Sequence, residues 1–568
     1  RADAVRSALE AGRGAGAAAE LEAIAAAAQQ LPEPERARVL LHVGRSWERL
    51  AALPAASPEA ELRAARSFEQ AEALARRSDE ARLLSYALGY RAGLYEQAGR
   101  LEEALVLNDA AVRAALATDA PDALYRWLWQ AGRIERARGR DARALALYRE
   151  AAVTLGELRQ RAALAAAGWE AAPGADALYF ELVDLLLSAA VPASGDAEQA
   201  LLREARDTLE ARKAEELRDY FRDECLMAQR QAAPDEVPGA VVVYPVVLPD
   251  RIELIVGGSG RLVSRVSRVD HATLEAEVDA FRHALTRRTT REYLLSAQTL
   301  YDWLIRPIEA DLAARRPQAL VFAPDGPLRT IPMAALHDRE TGQFLIEKLP
   351  VAIVPSLSLT DPRPLPRRGL HVLAAGLSEA VAGFPALENV EPEIRALTAE
   401  FPGRALLNDE FKADRFEQAI ESQPYGIVHV ASHAEFATDG ADSFLLAWDG
   451  PLPMDRLAEL VASTRFRTQQ PLELLTLSAC ETAAGDERAA LGLAGIALRA
   501  GARSALATLW SVNDQSAADL VTAFYAGLGD PDVSRARALQ QAQLGLIEKR
   551  ATRHPAFWAP FVLISSWL

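Results

Sequence analysis

The sequence predicts a chain in two parts, an all-helical repeat array followed by an α/β domain on a mostly parallel sheet. Three observations carry that prediction. At 568 residues the chain exceeds the roughly 250–300 at which one core stops growing, so at least two domains are required. Up to about residue 230 it is rich in Ala, Leu, Glu and Arg, the strongest helix formers, with few Gly or Pro. Beyond AAPDEVPG, β-branched runs alternate with helical stretches, the pattern of a sheet covered on both faces. The boundary therefore falls in AAPDEVPG, giving a helical domain over 1–232 and an α/β domain over 235–568.

In the helical part Ala64/Phe68/Ala71, Ala104/Asn108/Ala111 and Ala144/Tyr148/Ala151 recur every 40 positions, the last two preceded by Gly99 and Gly139 at turns. Each unit reads as helix, turn, helix. The segments LYEQAGRLEEALVLNDAAVRAA and RIERARGRDARALALYREAAVTL resemble tetratricopeptide (TPR) repeats. Asn108 replaces a large apolar residue, Glu135 replaces a Tyr, and the period exceeds the usual 34. A second helical stretch, Ala197 to Arg230, carries Leu217, Tyr220, Phe221, Cys225 and Leu226 near one face, which assigns Cys225 to a core.

Composition excludes several functions. A net charge of −16 repels polyanions, so no nucleic-acid partner is expected. The two cysteines, Cys225 and Cys480, stand far apart with no zinc spacing, so no disulfide framework, metal or other cofactor is assigned. No apolar run reaches the ~18 residues of a membrane span. The chain begins with Arg rather than Met, which leaves room for a processed leader; the expected location is cytoplasmic.

In the second part AVVVYPVVL and RIELIVGG, split by Pro-Asp, read as an opening hairpin or edge pair. The runs ALVFA, GLHVLAAG, GIVHVAS, LELLTLSA and SALATLW read as buried strands, with helices near Val390 to Phe401, Lys412 to Ser422, Ala489 to Ala500 and Ser516 to Leu528. Ligands of parallel sheets collect beyond the carboxyl ends of strands. The residues there are Pro324-Asp325-Gly326, Ser432-His433, Cys480-Glu481-Thr482 and Trp510-Ser511-Val512-Asn513-Asp514. A histidine and a cysteine after neighbouring strands suit thiol chemistry, in which a thiolate attacks and an imidazole manages the proton. The turn containing Gly485 and the helix after it offer backbone N–H groups to a thiolate or oxyanion.

HVASHAEF, LLTLSACETAAGDERAALGLAGIALRAGARSALATLWSVNDQSA and the later FYAGL, AQLGL and HPAFWAPFVLI segments closely resemble the CHAT domain. This caspase-like peptidase domain, often attached to TPR repeats, is related to the separase, caspase and gingipain peptidases. The resemblance implies a TPR-like domain joined to a caspase-like α/β domain, with His433 and Cys480 as catalytic residues. It places an oxyanion hole at the backbone N–H groups of Ala434 and Cys480. Many relatives have Gly at the position of Ala434, whose Cβ stands to crowd the substrate or forbid a positive φ. By likeness to separase, Asp514 is the residue that binds Arg or Lys before the scissile bond; its local alternative is to cap the helix near Ser516. Glu481 and Asp486 either orient the site or are solvated loop acids. His429 reads as structural and Ser432 as a strand-end hydrogen-bonding residue, since no GxSxG elbow surrounds it.

The expected function is a cysteine endopeptidase acting on one or few protein substrates, with the TPR-like domain binding a regulatory protein partner. Loops such as Leu359 to Gly369, whose prolines and arginines suggest accessible backbone, are candidate places for autocleavage, should activation require it. The rival is a weak or inactive CHAT-fold scaffold working through protein–protein interactions.

Overall fold

The computed structural model describes residues 14–53, 59–164, 174–221, 237, 239–258, 260–366, 369–436, 443–468, 471–478, 480–482 and 487–568. The chain divides into two compact units, Arg1–Ser188 and Ala189–Leu568.

The first unit contains helices α1 (Gly14–Ala28), α2 (Glu33–Ala51), α3 (Glu59–Arg77), α4 (Ala81–Gln97), α5 (Leu101–Ala117), α6 (Pro121–Ala137) and α7 (Asp141–Leu164); α8 (Ala177–Ala190) reaches its end. Helices α2/α3, α4/α5 and α6/α7 pack as successive hairpins. Gly99 and Gly139 turn the chain inside two of them, and Asp79 and Asp119 turn it between hairpins, all at positive φ. The aligned triads are the contact stripe, and all nine of their residues are fully buried. The two large residues pack against glycines: a Cβ on Gly44 would stand 2.3 Å from the Phe68 ring, and one on Gly132 would stand 2.7 Å from Tyr148. In the middle unit the 40-residue register puts Ala92 where Gly132 stands, and Asn108 where the rings stand. The larger residue on one helix thus accompanies the smaller one on its neighbour. Buried Asn108 donates to Trp127 O at 2.8 Å. Glu135, also buried, collects Arg138, Arg140 and Arg143. Both departures from the repeat pattern are therefore polar positions with partners, Asn108 through its amide nitrogen and Glu135 through its ion pairs.

In the second unit, α9 (Gly195–Phe221) precedes β1 (Ala240–Val247), β2 (Ile252–Gly258) and β3 (Val263–Ser267). Helices α10 (His271–Thr286), α11 (Tyr293–Leu304) and α12 (Glu309–Arg315) lead to β4 (Ala319–Phe322). There follow β5 (His337–Asp338), β6 (Gln343–Phe344), α13 (Leu345–Lys348), β7 (Val351–Ile353), β8 (Val372–Gly376), α14 (Val390–Glu400), β9 (Gly403–Leu407), α15 (Ala413–Ser422) and β10 (Ile427–Ala431). Next come β11 (Ala434–Phe436), β12 (Phe444–Ala447), β13 (Gly450–Pro453), α16 (Met454–Thr468), β14 (Leu474–Leu477), β15 (Cys480–Thr482) and α17 (Glu487–Arg499). The chain closes with β16 (Ser504–Thr508), α18 (Asp514–Gly529), α19 (Arg535–Glu548) and β17 (Phe561–Ser565).

Eleven strands form one sheet in the order β3-β2-β1-β4-β7-β17-β16-β14-β10-β8-β9. It is mostly parallel, as expected; only β1/β2, β2/β3 and β16/β17 are antiparallel. The β16/β17 pair reverses polarity between the two halves. Consequently Pro324-Asp325-Gly326 ends a strand running opposite to β10 and β14. That corrects the grouping of this turn with His433 and Cys480: the reversing strand HPAFWAPFVLI lies last in the chain, and nothing in ALVFA itself reveals its direction.

Helix α9 packs within the second unit, although its composition matches the helical half. The reason is its side chains. Glu210 accepts from Ser356 Oγ, Leu357 N and Ser358 N at 2.7–3.0 Å, and Arg212 and Lys213 reach the turn after β4. Leu217, Tyr220 and Phe221 share a core with Leu491 and Leu498 of α17, so the described part of the predicted apolar face is present. Gly492 and Gly495 make the close approach possible, because a Cβ there would lie 2.2 Å from the Tyr220 hydroxyl and 2.4 Å from the Phe221 ring. Cys225 lies outside the described residues. Among the described residues no helix is long and apolar enough to cross a membrane.

The buried charges of α9 converge on Asp325. It pairs with Arg212, with Arg329 at 2.7 Å and with Lys213 at 3.7 Å. Burial alone would raise this carboxyl; Lys213, Arg212 and Arg329 outweigh it and hold the carboxyl far below its usual range. Burial also pushes Lys213 down to about 8 against the pull of Asp325. Because the folded Asp325 pKa is depressed, its stabilisation is complete above the unfolded value of about 4 and fades as pH falls below it. Asp325→Asn strands buried cations and is expected to cost about 3 kcal/mol or more at pH 7. The difference from wild type should shrink below about pH 4; urea unfolding at both pH values measures it.

Candidate active site

Strand register places the two predicted catalytic residues. In the large sheet β10 and β14 run parallel with Val430 opposite Leu477. Both chains then leave for a smaller sheet, ordered β13-β12-β11-β15, where Ala434 stands opposite Cys480, again in parallel. From Val430 to Ala434 is four steps and from Leu477 to Cys480 is three, so the histidine strand carries one extra residue. His433 sits at that break, outside both ladders. An extra residue in one strand frees its side chain from the alternating pleat and re-aims it. The backbones of Ala434 and Cys480 are ladder partners, and neighbouring strands lie about 4.8 Å apart. The side chain of Cys480 is outside the described residues, as are Gly485, Asp486 and the side chain of Glu481.

His433 is half-buried and held from two sides. Its Nε2 lies 3.0 Å from the Pro385 carbonyl, and its ring packs on Phe384 with centroids 5.0 Å apart. A carbonyl can only accept, so Nε2 carries the proton, and in the neutral ring Nδ1 is the free lone pair. The backbone is pinned as well: His433 O accepts from Leu446 N at 2.8 Å. Ser432 Oγ donates to Leu446 O at 2.6 Å, as expected of a strand-end hydrogen-bonding residue.

Phe384 and Pro385 belong to a loop, 377–389, that follows β8 on the same edge and that sequence reasoning missed. Val381 and Phe384 bond to each other across Ala382 and Gly383, both at positive φ, as in a tight hairpin turn. Asn408 receives Ser378 N at 2.8 Å at the loop's start. At its end Asp514 Oδ2 accepts from Asn389 N at 2.8 Å and Asn389 Nδ2 at 2.7 Å. One short loop therefore touches His433 and Asp514 alike. The Gly383-Phe384-Pro385 string was its available signal.

Asp514 is the first residue of α18 and does not cap it. Asn513 is the cap, its Oδ1 accepting from Ser516 N at 3.2 Å. The local alternative for Asp514 thus fails by one residue, since either side chain type can cap and the turn favours the earlier one. Its Oδ1 has no partner among the described residues.

Ala434 resolves a concern raised by its type. It lies in a strand, is absent from the described residues with positive φ, and turns its Cβ into the core beside Leu445 and Leu477. Strand alternation sends the neighbouring Glu435 to the other face.

Beneath the strand ends lies a buried polar layer. His429 Nε2 is 2.9 Å from Glu393 Oε1, though off the line of a good hydrogen bond. Its Nδ1 is 3.3 Å from the Tyr525 hydroxyl, which is 2.7 Å from Thr476 Oγ1. Burial raises the Tyr525 phenol far above its usual range, so it stays neutral. Ser478, two residues before Cys480, donates to Glu393 Oε1 at 2.6 Å. His429 is thus structural, as read, and Glu393 ties the histidine and cysteine strands together from below. Between Leu359 and Gly369 the expected accessibility is contradicted in part: Leu359, Thr360, Asp361 and Leu365 are buried, with Asp361 bound to Arg363 and Arg503. Arg367 and Arg368 lie outside the described residues.

Residues 294–566 match the family model of the CHAT domain, so the second unit carries a CHAT domain. Similar solved structures include Podosopora anserina kinesin-light-chain nearly identical TPR-like repeats, at 17% identity over 38% of this chain and 94% of that chain, TM-score 0.26. The Saccharomyces cerevisiae separase–securin complex matches at 9% identity over 94% of this chain and 52% of that chain, TM-score 0.41. The Arg specific cysteine proteinase gingipain R matches at 9% identity over 52% of this chain and 74% of that chain, TM-score 0.33. No curated protein matches.

Removing the acceptor below the site tests the polar layer. Glu393→Leu leaves His429 and Ser478 without it, and is expected to cost about 3 kcal/mol. Chemical denaturation, with Glu391→Leu on the same helix as a surface control, gives the difference.

Proposed function

We propose that the chain is a cysteine endopeptidase in which Cys480 is the nucleophile and His433 its acid and base. The observation that carries this reading is the parallel Ala434/Cys480 register, which brings a re-aimed histidine beside a cysteine on an adjacent strand. In the proposed cycle Pro385 O holds Nε2–H, so Nδ1 accepts the Cys480 proton. The thiolate attacks the scissile carbonyl carbon, and the oxyanion is stabilised by backbone N–H groups, for which Ala434 and Cys480 are the candidates. His433 then gives that proton to the leaving amine as the C–N bond breaks, leaving a thioester. Water adds to the thioester with His433 as base, and the thiol is released with the acid product.

Specificity for Arg or Lys before the cleaved bond is assigned to Asp514. One oxygen is committed to Asn389, and the other has no partner among the described residues. A carboxylate anchored through one oxygen is a suitable fixed acceptor for a guanidinium or ammonium. The substrates are one or few proteins, and the TPR-like unit binds a protein partner that targets or regulates cleavage. The competing reading is a CHAT-fold scaffold without turnover.

Peptides containing Arg and Lys, incubated with wild type and Cys480→Ala, separate the two readings. Cleavage lost by at least about a thousandfold in the variant supports the dyad; equal cleavage assigns it elsewhere. Asp514→Lys is expected to lower kcat/KM for basic peptides by about a hundredfold while sparing neutral ones. An unchanged basic preference removes Asp514 from specificity.

A further inference from the structure

The first helices of the three successive hairpins, α2, α4 and α6, enclose a cleft of about 570 Å3 within the first unit, a size typical of ligand sites. Its lining is rich in arginine. Arg45, Arg49, Arg126 and Arg133 face only Glu48 and Glu96 there, although the whole chain carries −16. Two of the arginines are neutralised inside the cleft: Arg45 pairs with Glu48 at 2.5 Å and Arg133 with Glu96 at 2.8 Å. The other two are not. Among the described residues Arg49 has no carboxylate within ion-pair distance, and Arg126 bonds only the Asp122 carbonyl, at 3.0 Å through Nε. The terminal nitrogens of Arg126 are therefore available to an incoming carboxylate, which a guanidinium binds through two parallel N–H donors.

The walls are suited to a peptide chain. Tyr90 is half-buried at the centre, edge-on to Trp127 at 5.4 Å, with the Arg45 guanidinium 4.8 Å from its ring. It offers an apolar surface between the two unpaired arginines' helices, α2 and α6. Gly93, one turn further along α4, leaves room: a Cβ built there meets only the Gln130 amide, at 3.8 and 3.9 Å. A helix-interior glycine costs about 1 kcal/mol relative to alanine, and here it packs closely against nothing.

We propose that this cleft binds an acidic linear peptide, with Arg49 and Arg126 taking its carboxylates and Tyr90 an apolar side chain between them. The proposal rests on the reading of the TPR-like unit as a protein-binding unit and is independent of the chemistry at Cys480. Two glutamates within the cleft and the charge of the chain disfavour a nucleic-acid strand.

The test uses the full chain and a fluorescein-labelled peptide of Glu and Asp around one Tyr. It lacks Arg and Lys, so under the proposed specificity it is no substrate. Fluorescence anisotropy is expected to show saturable binding that weakens with salt, by about tenfold or more in Arg49→Glu/Arg126→Glu. Gly93→Leu, which fills the cleft and raises helix propensity, is expected to abolish binding with the melting temperature retained, so loss of affinity is not loss of fold. Absence of saturable binding, equal binding by both variants, or equal binding of a Lys-substituted peptide or an oligouridylate overturns the proposal. Cleavage of basic peptides in the same preparation is read separately, so either reading can fail alone.

Discussion

The second unit depends on one parallel register. Ridge by ridge, β10 and β14 are locked by buried apolar residues on one face, Val428, Val430, Leu475 and Leu477, and by the Glu393 layer on the other. A slip of one residue would drive those leucines and valines into the polar face. The same constraint decides where the strands emerge, and so brings Ala434 opposite Cys480 in the small sheet. The extra residue on the histidine strand is what converts two neighbouring strands into a candidate site. Without it His433 would follow the pleat.

Around that register polar side chains are placed where they restrain backbone. Glu393 spans two strands from α14; Ser432 and Leu446 fasten the histidine's own strand; Asn408 and Asp514 hold the two ends of the 377–389 loop. Removal of any of them strands a hydrogen-bonding partner. Helix α9 works at larger scale. Its charges bind two loops of the sheet, and its aromatic end lies on the glycine face of α17, the helix that follows Cys480.

Much of this was legible in the sequence. Residue spacing was sufficient for the Ala/aromatic stripe of the helical hairpins and for strands such as GIVHVAS and LELLTLSA, whose period and apolarity are local properties. Helices α14, α15, α17 and α18 fall within two residues of expectation. What was hidden depends on distant partners. The packing of α9 is set by loops more than 100 residues away, and the reversed polarity of β4 by the last strand of the chain. The Phe384-Pro385 loop carries no reactive side chain, so a search for nucleophiles and bases passes over a carbonyl that orients a histidine. Asn513 takes the capping place that had been the local alternative for Asp514, because both types cap helices and only geometry chooses between adjacent candidates.

The central claim is that His433 activates Cys480. Alkylation of Cys480 by iodoacetamide as a function of pH, read at the modified residue by mass spectrometry in wild type and His433→Ala, tests it most directly. The account predicts fast labelling of Cys480 well below the ordinary thiol pKa of about 8.5, and reversion to an ordinary profile in the variant. Labelling of Cys480 that titrates near 8.5 in both proteins would contradict it.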